Sequence, residues 1–232
     1  MSQQDPLAEI DWPKPVAPSE HVSQAIHQKC TKGLGSHACV SARRKAALSL
    51  LIPVLAVGAF TVLAVYGGVS EGALRSGLYG ALGWAVVLAL VLLFGLARPP
   101  GRRPAAALRV VVAVLVPVAF FAYLGLTESG RLPFATFSQG ATAQHALGCG
   151  MICLVVGAIV TGVVLLLWRG TDPMTPGVSG ALVGLVGGVG SALALGVACP
   201  SHEGWHLGFS HGLVVVALVI LGGAVGRRLL AP

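Results

Sequence analysis

The stretch Thr171–His211, TDPMTPGVSGALVGLVGGVGSALALGVACPSHEGWHLGFSH, decides how the chain is read. It opens on a loop bracketed by Pro173 and Pro176 and continues as an apolar run with glycines four residues apart. It ends in a cluster of Cys, His, Glu and Trp before the next apolar run. Gly180, Gly184 and Gly188 stand at i, i+4 and i+8, and Ala192 and Gly196 extend the row. On a helix these positions form one stripe, along which two membrane-embedded backbones can approach closely. Glycine is abundant throughout, 32 in all, but the unbroken row favours close helix packing, within one chain or between chains.

Composition sets the class. Of 232 residues, 55% are hydrophobic and 10% charged, and the mean hydropathy is +0.84. That is too apolar for a soluble domain and points to a chain crossing a membrane several times. Six apolar segments, at about 46–66, 77–97, 106–126, 147–168, 177–198 and 209–226, approach the ~20 residues a bilayer demands. Pro117 is expected to bend the third. The expected fold is therefore an all-α integral membrane protein. It has six transmembrane helices (46–228) and a short cytoplasmic N-terminal segment (1–45). The polar start of the chain has no apolar core of a signal peptide, so no cleaved leader is expected.

The net charge of +7 reads as topology. With both termini in the cytoplasm, thirteen Lys and Arg fall inside and only Arg75 and Arg131 outside. Such a bias fits an even number of spans in an inner membrane. No basic helix with interleaved aromatics is visible, which argues against a nucleic-acid surface. No charge sits mid-span, which disfavours an ion transporter or pump.

The head begins with an acidic, Pro-rich lead carrying Leu7, Ile10 and Trp12. Ser19 is then a suitable helix N-cap, and Val22, Ile26 and Cys30 make one apolar stripe on a short helix. A helix this short is marginal alone and is stabilised by a partner, so a helix-in-groove ligand is the sharper reading and a floppy tail the blander one. His21, His27, Cys30, His37 and Cys39 match no standard zinc spacing and read as incidental.

On the expected outer face, His145 and Cys149 are one helical turn apart, and Cys199, His202, His206 and His211 follow the fifth span. Three readings stay open. Cys149 and Cys199 can form a disulfide in an oxidising compartment. The six residues can supply ligands for zinc or copper. Or they are ordinary interfacial residues, with Trp205 as a membrane anchor. His202-Glu203-Gly204-Trp205-His206 also spells HExxH, but that motif works on a helix, and Pro200, Gly204 and Gly208 argue for a loop or helix start.

The second half resembles a known family. The DPxxPG loop (Asp172, Pro173, Pro176, Gly177), the glycine-striped fifth helix, the Cys199-Pro200 turn, the Trp/His cap and the closing Gly226-Arg227-Arg228 are similar to the NrsF-like membrane anti-sigma factors. The similarity is best over about 171–228, and the six-span layout agrees. The resemblance implies a non-enzymatic regulator of the bacterial inner membrane. Its cytoplasmic head would hold an extracytoplasmic-function sigma factor and release it on a stress signal. Leu7, Ile10, Trp12, Val22 and Ile26 are then the expected contact surface. The resemblance implies no cofactor, and zinc or copper at the Cys/His cluster is read from those residues alone. A small inner-membrane transporter or channel, for metal ions, is the alternative.

Overall fold

The computed structural model describes residues 20, 24, 42–69, 71–98, 102–128, 143–172, 174–199 and 203–231. The chain divides into two compact units, 1–40 and 41–232. Of the first, Glu20 and Gln24 are described, both helical. The second is all helical among the described residues. Its elements are α1 (Ala42–Tyr66), α2 (Glu71–Gly95), α3 (Ala106–Glu128), α4 (Ala143–Leu167), α5 (Pro176–Ala198) and α6 (Leu213–Leu229). A single helical turn, Gly204–His206, and a π-helical segment, Leu207–Gly212, lead into α6.

Six helical stretches are long and apolar enough to cross a membrane, the sixth formed by the π segment and α6 together. Helices α1 and α3 carry Pro53 and Pro117 and continue through them. Leu, Val and Ile coat the outside of five of the helices; Leu55, Leu82, Leu115, Ile159 and Ile220 are all more than half exposed. A soluble bundle would bury such side chains.

Helix α5 is the exception. Over its apolar window 83% of residues are buried, against 17% to 39% for the other five. It packs against every one of them, most extensively against α6. Its composition permits this. A Cβ added to Gly180 would stand 2.7 Å from the Gly226 Cα, one on Gly222 2.8 Å from the Gly184 Cα, and one on Gly188 2.9 Å from the Val215 Cα. Small residues thus bring the antiparallel α5 and α6 backbones into direct contact. Glycine also lets α5 meet its other neighbours: Gly187 lies against the Gly157 carbonyl of α4, and Gly190 against Pro53 of α1.

Overpacking an ordinary core costs roughly 1–3 kcal/mol, and at Gly184 the added atoms would meet the backbone of Leu218 and Val219. Gly184→Leu should therefore destabilise the purified chain by at least that much in detergent, read by thermal unfolding. Gly196→Ala, where an added Cβ meets nothing within 4 Å, should leave stability unchanged or raise it by up to about 1 kcal/mol. Equal melting of the two variants would remove the backbone contact as the reason for the glycines.

Candidate functional site

Polar side chains gather at both ends of α5. At its C-terminal end the first turns of α4 supply His145 and Cys149, the α5 C-cap supplies Cys199, and the turn before α6 supplies His206. One donor atom from each of the four lies within 4.8 Å of all the others. Cys199 Sγ is 3.1 Å from His206 Nε2. Cys149, Cys153 and Cys199 form no disulfide among the described residues, and the Cys149 thiol is in hydrogen-bonding contact with Cys199. His206 and Cys199 are buried, Cys149 is partly so, and His145 is exposed.

The π-helical segment shapes this corner. Its wider turn seats Ser210, whose hydroxyl donates to the Ala146 carbonyl of α4 at 2.6 Å. It also seats His211, whose ring centre is 5.7 Å from that of His206. His211 Nδ1 lies 3.3 Å from the Ala192 carbonyl, so this residue backs the four-residue group and is not one of its converging donors. Segments of this kind recur at functional sites. His202 lies outside the described residues. Glu203 precedes the helical turn and accepts a 2.6 Å hydrogen bond from Trp205 Nε1, so the HExxH letters do not lie on a continuous helix.

A tetrahedral zinc with ordinary bond lengths holds its donor atoms roughly 3.3–3.8 Å apart. The four donors lie within 4.8 Å of one another, so a pair at that limit needs to contract by about 1 Å. Two thiols and two imidazoles suit zinc, or copper in its soft monovalent state. A metal would take the place of the proton shared between Cys199 and His206.

The N-terminal end of α5 is organised by charge, and sequence reasoning missed most of it. Asp172 is buried. Its Oδ1 accepts the backbone N–H groups of Met174 and Thr175 at 3.2 and 3.0 Å. Its Oδ2 accepts from the hydroxyls of Thr175 and Ser179. Oδ2 also lies 2.9 Å from Arg103 Nη1 and 3.4 Å from Arg109 Nη2. Arg109 Nη1 donates to Thr175 Oγ1 at 2.7 Å, and Nη2 donates to Ser179 Oγ. Arg103 further donates to the carbonyls of Leu96, Arg98 and Thr171. The network joins the α2–α3 loop, α3 and the first turn of α5. Beside it, Trp168 Nε1 donates to Ser49 Oγ at 2.9 Å, tying α4 to α1, and the N–H groups of Gly170 and Asp172 pair with the carbonyls of Leu229 and Leu230.

Burial alone would raise the Asp172 carboxyl. The Ser179 hydroxyl, the Thr175 N–H and the two arginines outweigh it and hold the carboxyl below its usual range. Burial pushes the Arg103 guanidinium down, with Asp172 opposing, and arginine stays charged regardless. From sequence, Arg103 and Arg109 read only as topology charges, and the partners of Arg109 are 63 to 70 residues away. The usable signal was an arginine three residues inside an apolar run.

The model of a family described as "Negative regulator of sigma F", NrsF, matches residues 36–231. The chain belongs to that family. It is also 37% identical over 82 residues to the anti-sigma-F factor NrsF of Caulobacter vibrioides (strain NA1000 / CB15N). That alignment covers 35% of this chain and 38% of the relative. No solved structure matches. The expected partner-binding residues of this NrsF-family chain, Leu7, Ile10, Trp12, Val22 and Ile26, lie outside the described residues.

Removing one partner of a buried ion pair costs roughly 3–5 kcal/mol. Asp172→Asn should therefore lower stability by about that amount at neutral pH, while Arg75→Gln, whose partner Glu71 is exposed, should cost less than about 1 kcal/mol. The stabilisation from Asp172 is complete above the unfolded carboxyl value, near pH ~3.9. It is lost as pH falls through the depressed folded value. Melting followed from neutral pH down to about pH 3 should show this acid loss in the parent and a smaller one in Asp172→Asn.

Proposed function

We propose that the chain is a membrane-bound anti-sigma factor of the bacterial inner membrane. Its N-terminal segment, residues 1–45, holds an extracytoplasmic-function sigma factor away from RNA polymerase and releases it when a stress signal reaches the six-helix domain. The family match over residues 36–231 carries this reading, and the name of the Caulobacter relative supports it. An apolar exterior on five of six long helices supports insertion in a bilayer. The excess of Lys and Arg assigned to one side supports two cytoplasmic termini.

Most of the head precedes the matched region, so the contact surface rests on pattern. Val22 and Ile26 stand four residues apart in the sequence, and Leu7, Ile10 and Trp12 precede them in the acidic lead. A short amphipathic helix of this kind fits an apolar groove on a partner. The signal site is the group His145, Cys149, Cys199 and His206, with zinc or copper as the ion and His202 and His211 as flanking residues. Helix α5 bears Cys199 at one end and the Thr175–Ser179 contacts at the other. A ligand that favours one position of this helix would shift a two-state bundle by its differential affinity.

Tagged full-length chain should retain a sigma factor on purification from its own cells. Val22→Asp with Ile26→Asp should lose the sigma factor while the membrane unit still melts as the parent does. A full-length chain that retains none, or a head cut by protease added outside intact spheroplasts, would overturn the reading. Separately, the purified chain should bind one zinc or monovalent copper ion, more tightly as pH rises because the thiols must ionise. Cys149→Ser with Cys199→Ser should abolish that binding. Metal flux through reconstituted vesicles, without sigma-factor capture, would favour the transporter instead.

A further inference from the structure

Helices α2 and α3 meet at one end and part at the other. In their meeting half Trp84 of α2 packs edge-on against Phe120 and Tyr123 of α3, with ring centres 5.0 and 5.8 Å apart. Beyond it, towards the Asp172 network, the two helices leave a groove of about 310 Å³. Val91 and Phe94 form one wall, Leu108 and Val112 the other, and Leu182 of α5 lies at the back. The remaining lining group that matters is Arg109. It is 3% exposed, and its Nε is buried without a hydrogen-bond partner among the described residues.

The same end of the groove is cationic. The Arg98 guanidinium sits over the Phe94 ring, 4.8 Å from its centre, and both residues are exposed. Arg102 is exposed in the following loop, and Arg103 and Arg109 stand behind it. Of these four arginines, Arg103 and Arg109 pair with the one carboxylate, Asp172, while Arg98, over Phe94, and Arg102 stay exposed beside the end of the groove.

We propose that this groove is a binding site for an acidic phospholipid. An acyl chain lies between α2 and α3, and the phosphate is held by Arg98 and Arg102 where the groove ends. The shape selects the occupant. A soluble anion would satisfy the arginines and leave the apolar walls uncovered. A partner helix, roughly 10–12 Å across, needs more room for a single turn than the groove offers. A headgroup with a chain attached fills both parts, and basic pockets between membrane helices on the cytoplasmic side bind acidic headgroups for this reason. The site rests on the reading that the helices cross a bilayer with this end in the cytoplasmic leaflet.

The test uses the full chain, delipidated in a zwitterionic detergent and titrated with phosphatidylglycerol or phosphatidylcholine, with bound lipid counted by native mass spectrometry. One phosphatidylglycerol should be retained in preference to phosphatidylcholine. Arg98→Gln with Arg102→Gln should weaken it by roughly fivefold for each arginine removed. Leu108→Trp, which fills the groove from an exposed position, should abolish the preference without removing a charge. Equal retention of the two lipids, or a preference unchanged in both variants, overturns the site. Competition by inorganic phosphate at matched concentration would convert it to a site for soluble anions and overturn the lipid. The membrane reading fails separately, if the chain leaves the cell membrane fraction without detergent.

Discussion

Helix α5 can be surrounded on all sides only because it is thin. Its glycines face three neighbours: Gly180, Gly184 and Gly188 meet α6, Gly187 meets α4, and Gly190 meets Pro53 of α1. Each glycine costs helix propensity, about 1 kcal/mol relative to alanine in a soluble host. Where the surroundings of a bundle are themselves apolar, burying a leucine gains little, and close van der Waals contact becomes the main source of helix association. Larger residues at these positions would hold the backbones apart and forfeit that contact along the whole of α5.

This central position makes α5 the carrier of both polar clusters. Asp172, Thr175 and Ser179 sit at its start, and Cys199 caps its end, about 33 Å away for 23 residues at ~1.5 Å each. Direct backbone contact with α6 leaves little freedom to slide, because Gly180 and Gly226 have no side chains to rearrange. Displacement of α5 along its axis would move α6 with it. It would also strain the hydrogen bonds from Gly170 and Asp172 to the end of α6.

What was legible in the sequence follows the same physics. The six apolar runs were readable because length and composition are local properties, and each corresponds to a helix. Cys149, Cys199, His145 and His206 could be named because Cys and His are rare in apolar surroundings, yet only the antiparallel packing of α4 and α5 brings their donor atoms together. The π-helical segment left no trace in the letters LGFSHG, because a one-residue widening of a turn is set by tertiary contact, here Ser210 to Ala146. The arginine network was missed for a different reason. An arginine at the edge of an apolar run usually marks topology; Arg109 also completes a buried ion pair, and nothing near it in sequence reveals Asp172.

The two ends of α5 differ in what they can exchange with their surroundings. Asp172 accepts from two backbone N–H groups and two hydroxyls and faces two guanidinium groups, so an incoming ligand would have to displace a charge-assisted bond to reach it. That end acts as a fixed tie. At the other end the sulfur of Cys199 and the ring nitrogen of His206 lie 3.1 Å apart, with His145 exposed beside them. Replacing a weak thiol hydrogen bond by a metal–sulfur bond is favourable once the proton leaves. The chain is therefore tightly bound where α5 begins and chemically open where it ends.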